Sequence, residues 1–229
     1  MLENQLPLEI VTPSHQTLDN FCWHGNEVLQ NQLQLSLKQQ GERFYYIWGK
    51  PGVGKSHLLQ ALSHVQAGQA IYLPLIQLHE YGTAILEDLD LLNISCLEQI
   101  EAISGSPSLE EALFHLYNRI RDNQSTTLII SGQHPVNQLP IELPDLSSRS
   151  AWGLSFHLQE LDEAHKLMVL EQQAHAKGFE LPPQVSKYLL THCARDLHQL
   201  STIIETLDKA SLAAQRKLTV PLVKEILSL

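Results

Sequence analysis

Apolar positions follow two rhythms along this chain. Between residues 27 and 39, Val28, Leu29, Leu33, Leu35 and Leu37 stand among glutamines, mostly on one stripe of a helix. The run Phe44-Tyr45-Tyr46-Ile47-Trp48, stopped by Gly49, is aromatic and β-branched without polar alternation, which predicts a strand buried on both faces. Helical spacing resumes over residues 56–65. Further strands are predicted at residues 70–75, 94–97 and 126–131, with a helix over 108–122 between the last two. Strands alternating with helices imply a parallel sheet covered on both sides, with ligands gathering at the carboxyl ends of the strands.

After Leu158 the strand signals stop. Helical stretches follow at residues 162–177, closed by Gly178, at 183–193, opened by Pro182-Pro183, at 197–214, and at 220–227 behind Thr219 as N-cap. Residues 1–17 carry Pro7, Pro13 and one short apolar segment, Leu6-Pro7-Leu8-Glu9-Ile10, with no sustained period. The expected organisation is a flexible tail over 1–17, an α/β domain over 18–158 and a small all-helical domain over 159–229.

Between the first strand and the second helix lies Gly49-Lys50-Pro51-Gly52-Val53-Gly54-Lys55-Ser56, a complete G-x-x-x-x-G-K-[ST] phosphate-binding loop in the strand-to-helix context that this motif requires. Glycines let backbone N–H groups converge on phosphate oxygens, and the following helix turns its positive end to the same anion. Lys55 supplies a mobile charge, and Ser56 offers a hydroxyl to Mg²⁺. The expected ligand is a nucleotide, held by its phosphates together with Mg²⁺. A hydrolysing enzyme also needs acidic residues after the next apolar strand, where the chain reads Leu97-Glu98-Gln99-Ile100-Glu101. Glu98 can reach the metal, but the Gln99 amide orients water without accepting a proton at neutral pH, so intrinsic hydrolysis is expected to be weak or absent.

Twenty-five acidic against fifteen basic residues give a formal net charge of -10, which opposes direct binding to a phosphate backbone. Cys22, Cys96 and Cys193 show no paired spacing and read as free thiols of a reducing compartment. No apolar run approaches the ~20 residues needed to cross a bilayer, and the start of the chain lacks a basic-then-apolar pattern. The expected location is the cytoplasm. The twelve histidines form no H-E-x-x-H or similar pattern, and no structural metal is expected.

A phosphate loop followed by a helical lid, with Leu18-Asp19-Asn20-Phe21 ahead of the first helix, resembles the AAA+ proteins of the bacterial initiator DnaA group. Leu116-Tyr117-Asn118-Arg119-Ile120, Leu143-Pro144-Asp145-Leu146-Ser147-Ser148-Arg149, Gly178-Phe179-Glu180-Leu181-Pro182 and Ala213-Ala214-Gln215-Arg216-Lys217-Leu218-Thr219 are similar to the Hda group, the regulatory inactivators of DnaA. The resemblance spans essentially the whole chain. It implies a parallel five-stranded sheet between helices with a helical lid, and two partners, DnaA and the DNA polymerase III sliding clamp (its β subunit). Gln5, Leu6 and Leu8 would dock on the clamp. Arg149 would be an arginine finger reaching into a neighbouring subunit, a geometry that also permits a homo-oligomer. Gln133 would hold the first sensor position and Arg195 the second, with adenine near Phe21 and with His57 extending the nucleotide-binding set. DnaA has a DNA-reading helix-turn-helix, for which this chain offers no matching segment, so sequence-specific DNA binding is not expected. The implied function is ADP- or ATP-dependent stimulation of DnaA-bound ATP hydrolysis on the clamp, which prevents re-initiation of chromosomal replication. The alternatives are a self-contained AAA+ ATPase, such as a helicase loader or transposition helper, and an adaptor gated by nucleotide binding alone.

Overall fold

The computed structural model describes residues 16–66, 68–193, 197–214 and 218–227. In chain order the elements are α1 (Glu27–Leu37), β1 (Phe44–Trp48), α2 (Lys55–Val65), β2 (Ala70–Pro74), a short α3 (Leu78–Tyr81), β3 (Ile94–Glu98), α4 (Pro107–Asn123), β4 (Thr127–Gly132), α5 (Pro144–Ser150), β5 (Leu154–His157), α6 (Glu163–Ala176), α7 (Pro183–His192), α8 (Leu197–Ala214) and α9 (Val220–Leu227), with single 3-10 turns between some of them. The strands form one sheet in the order β2-β3-β4-β1-β5, and every pairing is parallel. Four strands and the helices around them lie where the hydrophobic rhythm predicts.

Alternation along the strands divides the core between two faces. Tyr45, Ile47, Tyr72, Cys96 and Ile129 pack with Leu29 and Leu33 of α1 and Leu58, Leu59 and Leu62 of α2. Tyr46, Leu73, Leu97, Leu128 and Ile130 face the other way, against Leu113, Leu116, Tyr117 and Ile120 of α4 and Leu146 of α5. A third cluster, including Leu170, Val185, Leu189, Leu200, Ile204, Leu207 and Val223, lies wholly within α6–α9, so the last four helices bury a core of their own. Cys96 is buried, Cys22 and Cys193 are half-buried, and all three thiols are free. Among the described residues no helix is long and apolar enough to cross a membrane.

Besides the single turn of α3, which no stretch of the pattern marks, two elements depart from the pattern read along the chain. Strand β5 is short, sits at the sheet edge and is alternately half-buried and exposed, so it lacks the continuous apolar run that marks its neighbours. Helix α5 begins with Pro144 at its first turn. Its start is fixed from a distance: buried Glu110 of α4 accepts the N–H groups of Leu143 at 2.7 Å, Glu142 at 3.1 Å and Gly105 at 3.0 Å. A buried carboxylate is tolerated because charge-assisted bonds satisfy it. That anchor sets the position of the whole helix, including Arg149.

The turn into β5 leaves no room for a side chain. Gly153 has φ +73°, and a Cβ there would lie 2.0 Å from the Phe44 carbonyl oxygen. We expect Gly153→Ala to destabilise the fold by about 2–4 kcal/mol, since backbone would have to move as well as a strained dihedral be held. A urea denaturation midpoint within error of the parent would refute this.

Candidate functional site

The sheet order places β4 between β1 and β3, so the carboxyl ends of these three strands converge. β1 runs into Gly49, β3 ends at Glu98, and β4 leads to Gln133. The loop from β1 turns back through Gly52 (φ +79°) and Gly54 (φ +103°) before α2 starts at Lys55. These dihedrals suit glycine. A Cβ on Gly54 would also come within 3.3 Å of the Phe21 ring, and one on Gly49 within 3.0 Å of the Leu158 carbonyl oxygen.

Lys55 Nζ donates to the carbonyls of Gly49 at 2.6 Å and Lys50 at 2.8 Å. Burial pushes the ammonium below the ordinary lysine value, and Glu101 and Glu98 oppose that shift. The Ser56 hydroxyl donates to one oxygen of Glu98 and the Tyr72 hydroxyl to the other. Burial, then the bond to Glu98, raises the Tyr72 phenol well above its usual range. A hydroxyl and a carboxylate meeting at the end of the loop are hard oxygen donors of the kind Mg²⁺ takes.

A cavity of about 490 Å³ opens over the loop, within the range of small-ligand sites. Pro51, Gly52, Gly54, Lys55, Ser56, His57, Glu98, Gln99 and Gln133 reach it from the α/β part. Gln173 of α6, Lys177 just beyond it, and Leu197 and Ser201 of α8 line it from the other side. Lys50 and Val53 line a second, smaller cavity beside the loop, where Glu160 pairs with Lys166 at 3.0 Å and Lys50 at 3.5 Å.

Phe21 lies beneath the loop. It is buried, its ring meets His57 edge-on at 5.4 Å, and it supports Gly54. His57 Nε2 is 2.9 Å from Asn20 Oδ1 and 3.2 Å from the Thr17 carbonyl. Burial lowers its pKa, with the Thr17 contact acting the other way. The fold therefore holds His57 neutral, while the unfolded chain takes up a proton near pH ~6.5. Stability from this group is fully present above that pH and falls as acid is added. Thermal denaturation between neutral and mildly acidic pH should show a shallower loss of stability for His57→Gln than for the parent. Equal slopes would remove His57 from the acid response.

Three contributors are not singled out from the sequence. Glu101 accepts the N–H of Gln133 at 2.5 Å and of His134 at 3.4 Å, so it fixes the backbone that follows β4. Its other oxygen is buried without a partner among the described residues. Tyr72 holds Glu98 from the neighbouring strand. Lys177 adds a cation from the lid side. Of these, only Glu101 carried a local cue, as a second acid close behind Glu98.

Arg149 stands apart. It is not among the residues lining either cavity. At the end of α5 its guanidinium lies 3.9 Å from the centre of the Trp152 ring and 5.7 Å from that of Phe114. Arg121 approaches the same Trp152 at 5.6 Å. Arg149 Nε is buried without a partner among the described residues. Gln5, Leu6 and Leu8, expected to dock on the clamp, and Arg195, expected as the second sensor, lie outside the described residues.

Residues 149–227 match the family described as Hda, lid domain. Over its full length the chain is 39% identical across 231 aligned positions to an uncharacterized protein of Haemophilus influenzae, covering 100% of each. Its fold is similar to domain III of the Thermotoga maritima replication initiation protein DnaA, with a TM-score of 0.76 at 20% identity over 95% of this chain and 98% of that one. A replication initiator DnaA bound to AMPPCP and single-stranded DNA aligns at a TM-score of 0.71 and 20% identity, over 91% of this chain and 70% of that one.

Proposed function

This chain belongs to the Hda-like, DnaA-related AAA+ proteins, and from that premise we propose that it is a cytoplasmic, nucleotide-bound regulator acting on the ATP held by DnaA. ADP is the nucleotide we assign to its own loop. The AMPPCP carried by the similar DnaA supports an adenine nucleotide at this place in the fold. The loop would hold phosphate oxygens, Lys55 would neutralise them, and Ser56 with Glu98 would hold Mg²⁺, which supplies charge neutralisation between phosphates. Gln99 and Gln133 would keep the nucleotide without turning it over. The tail residues Gln5, Leu6 and Leu8 would dock on the sliding clamp, so that DNA is reached through the clamp. The outcome is ADP-bound DnaA and no second round of initiation.

One observation carries this reading: Arg149 lies outside the cavities that surround the chain's own loop, with its guanidinium on an aromatic shelf and its Nε without a partner among the described residues. An arginine suits a neighbour's triphosphate because it stays charged and forks across oxygens. The Ser56–Glu98 contact favours the rival, a self-contained ATPase. Steady-state turnover by the isolated chain separates them. We expect a rate far below the ~1 s⁻¹ of ordinary enzymes, and partner-free turnover near that value would establish the rival.

A further inference from the structure

Beside the joint between the α/β part and the lid, His24, Asp162 and His165 come together from segments far apart in sequence, and their candidate ligand atoms all lie within 4.8 Å of one another. We propose that these three residues form a binding site for a divalent transition metal of the zinc class. The site is separate from the nucleotide cavity and does not depend on the function proposed above.

The donor set selects the ion. Two imidazole nitrogens and one carboxylate oxygen suit Zn²⁺ and its neighbours rather than Mg²⁺ or Ca²⁺. Three protein donors leave one position for water. The carboxylate is already fixed: Asp162 caps α6, its Oδ1 accepting the His165 N–H at 2.8 Å and lying 2.7 Å from His165 Nδ1. An ion bound by both residues would take the place of the proton now shared between Asp162 Oδ1 and His165 Nδ1. The His24 ring stacks on the His165 ring at 3.7 Å between centres and 10° between planes. Parallel rings aim their lone pairs side by side, so one ring must turn for both to meet a single ion. His24 is exposed and has room to do so. The positive end of α6 opposes a cation, and the charges of Asp162 and Glu163 in the first turn offset it.

Occupancy would staple the turn before α1 to the start of α6, whose later residues Gln173 and Ala176, with Lys177 at its C-cap, line the nucleotide cavity. The test titrates the full chain with Zn²⁺ against a chromophoric chelator and records the visible spectrum with Co²⁺. The parent should bind one ion with micromolar or tighter affinity and give the intense Co²⁺ bands of a four- or five-coordinate site. His24→Gln and His165→Gln should each weaken binding by at least about tenfold. Asp162→Asn, which keeps the oxygen that caps the helix, should weaken it as well, whereas His175→Gln should not. The proposal is overturned by absence of micromolar binding, by a weak octahedral Co²⁺ spectrum, or by an affinity that His24→Gln leaves unchanged.

Discussion

Replacing Arg149 by alanine is expected to leave this chain folded and nucleotide-bound while slowing the clamp-dependent hydrolysis of DnaA-held ATP by roughly 10³ to 10⁵-fold, the range a trans-acting arginine supplies. Two structural facts separate the effects. Arg149 lines neither cavity next to the loop, and it closes α5 rather than filling the core. The Trp152 and Phe114 rings hold the guanidinium, worth about 0.5–2 kcal/mol of placement. Arg149→Lys should rescue little, because an ammonium neither stacks flat nor forks across phosphate oxygens. Phosphate release from preloaded DnaA, with the parent and Arg149→Ala compared at equal clamp occupancy, gives the answer. Equal rates would remove the finger.

The second large effect is expected at the loop. Lys55→Ala should weaken ADP binding by about 30-fold or more, corresponding to ~2 kcal/mol for a charge-assisted bond in a partly dehydrated site. In the fold this ammonium is partly buried and satisfied by the Gly49 and Lys50 carbonyls. It is thus kept against the loop rather than in bulk water. Isothermal titration with ADP and Mg²⁺ measures the loss directly. Unchanged affinity would mean that the nucleotide sits elsewhere or that backbone amides alone hold it. Because stimulation of DnaA is read separately, a variant that loses ADP yet keeps full stimulation would restrict the nucleotide to a structural part.

The legible parts of this molecule are those written in neighbouring residues. The apolar run Phe44-Tyr45-Tyr46-Ile47-Trp48, stopped by Gly49, defines both a central strand and its functional end. The eight residues from Gly49 to Ser56 carry the turn, the charge and the hydroxyl in one word, and the helical rhythm after Leu158 marks the lid helices. What escaped the chain pattern depends on contacts across the fold. Among the described residues strand β5 pairs only with β1, and it lacks a continuous apolar run. Helix α5 is anchored by Glu110 from another helix. Glu101 reaches Gln133 only because β3 and β4 pair in register. Phe21, near which the resemblance implies adenine, lies under Gly54 and beside His57, a support to the loop that no local spacing marks. Nothing local in Ser147-Ser148-Arg149-Ser150 indicates that Trp152 will lie flat against the guanidinium.

Labelling the two nucleotides differently separates the loop from the finger in one reaction. DnaA preloaded with radioactive ATP is mixed with clamp on DNA and with this chain carrying unlabelled ADP, and the labelled product is followed by chromatography. Rapid conversion of the DnaA-bound label to ADP with the parent chain, lost with Arg149→Ala while the chain keeps its own unlabelled ADP, is the predicted result. Conversion that proceeds equally with Arg149→Ala, or phosphate that arises only from nucleotide on this chain, would contradict it.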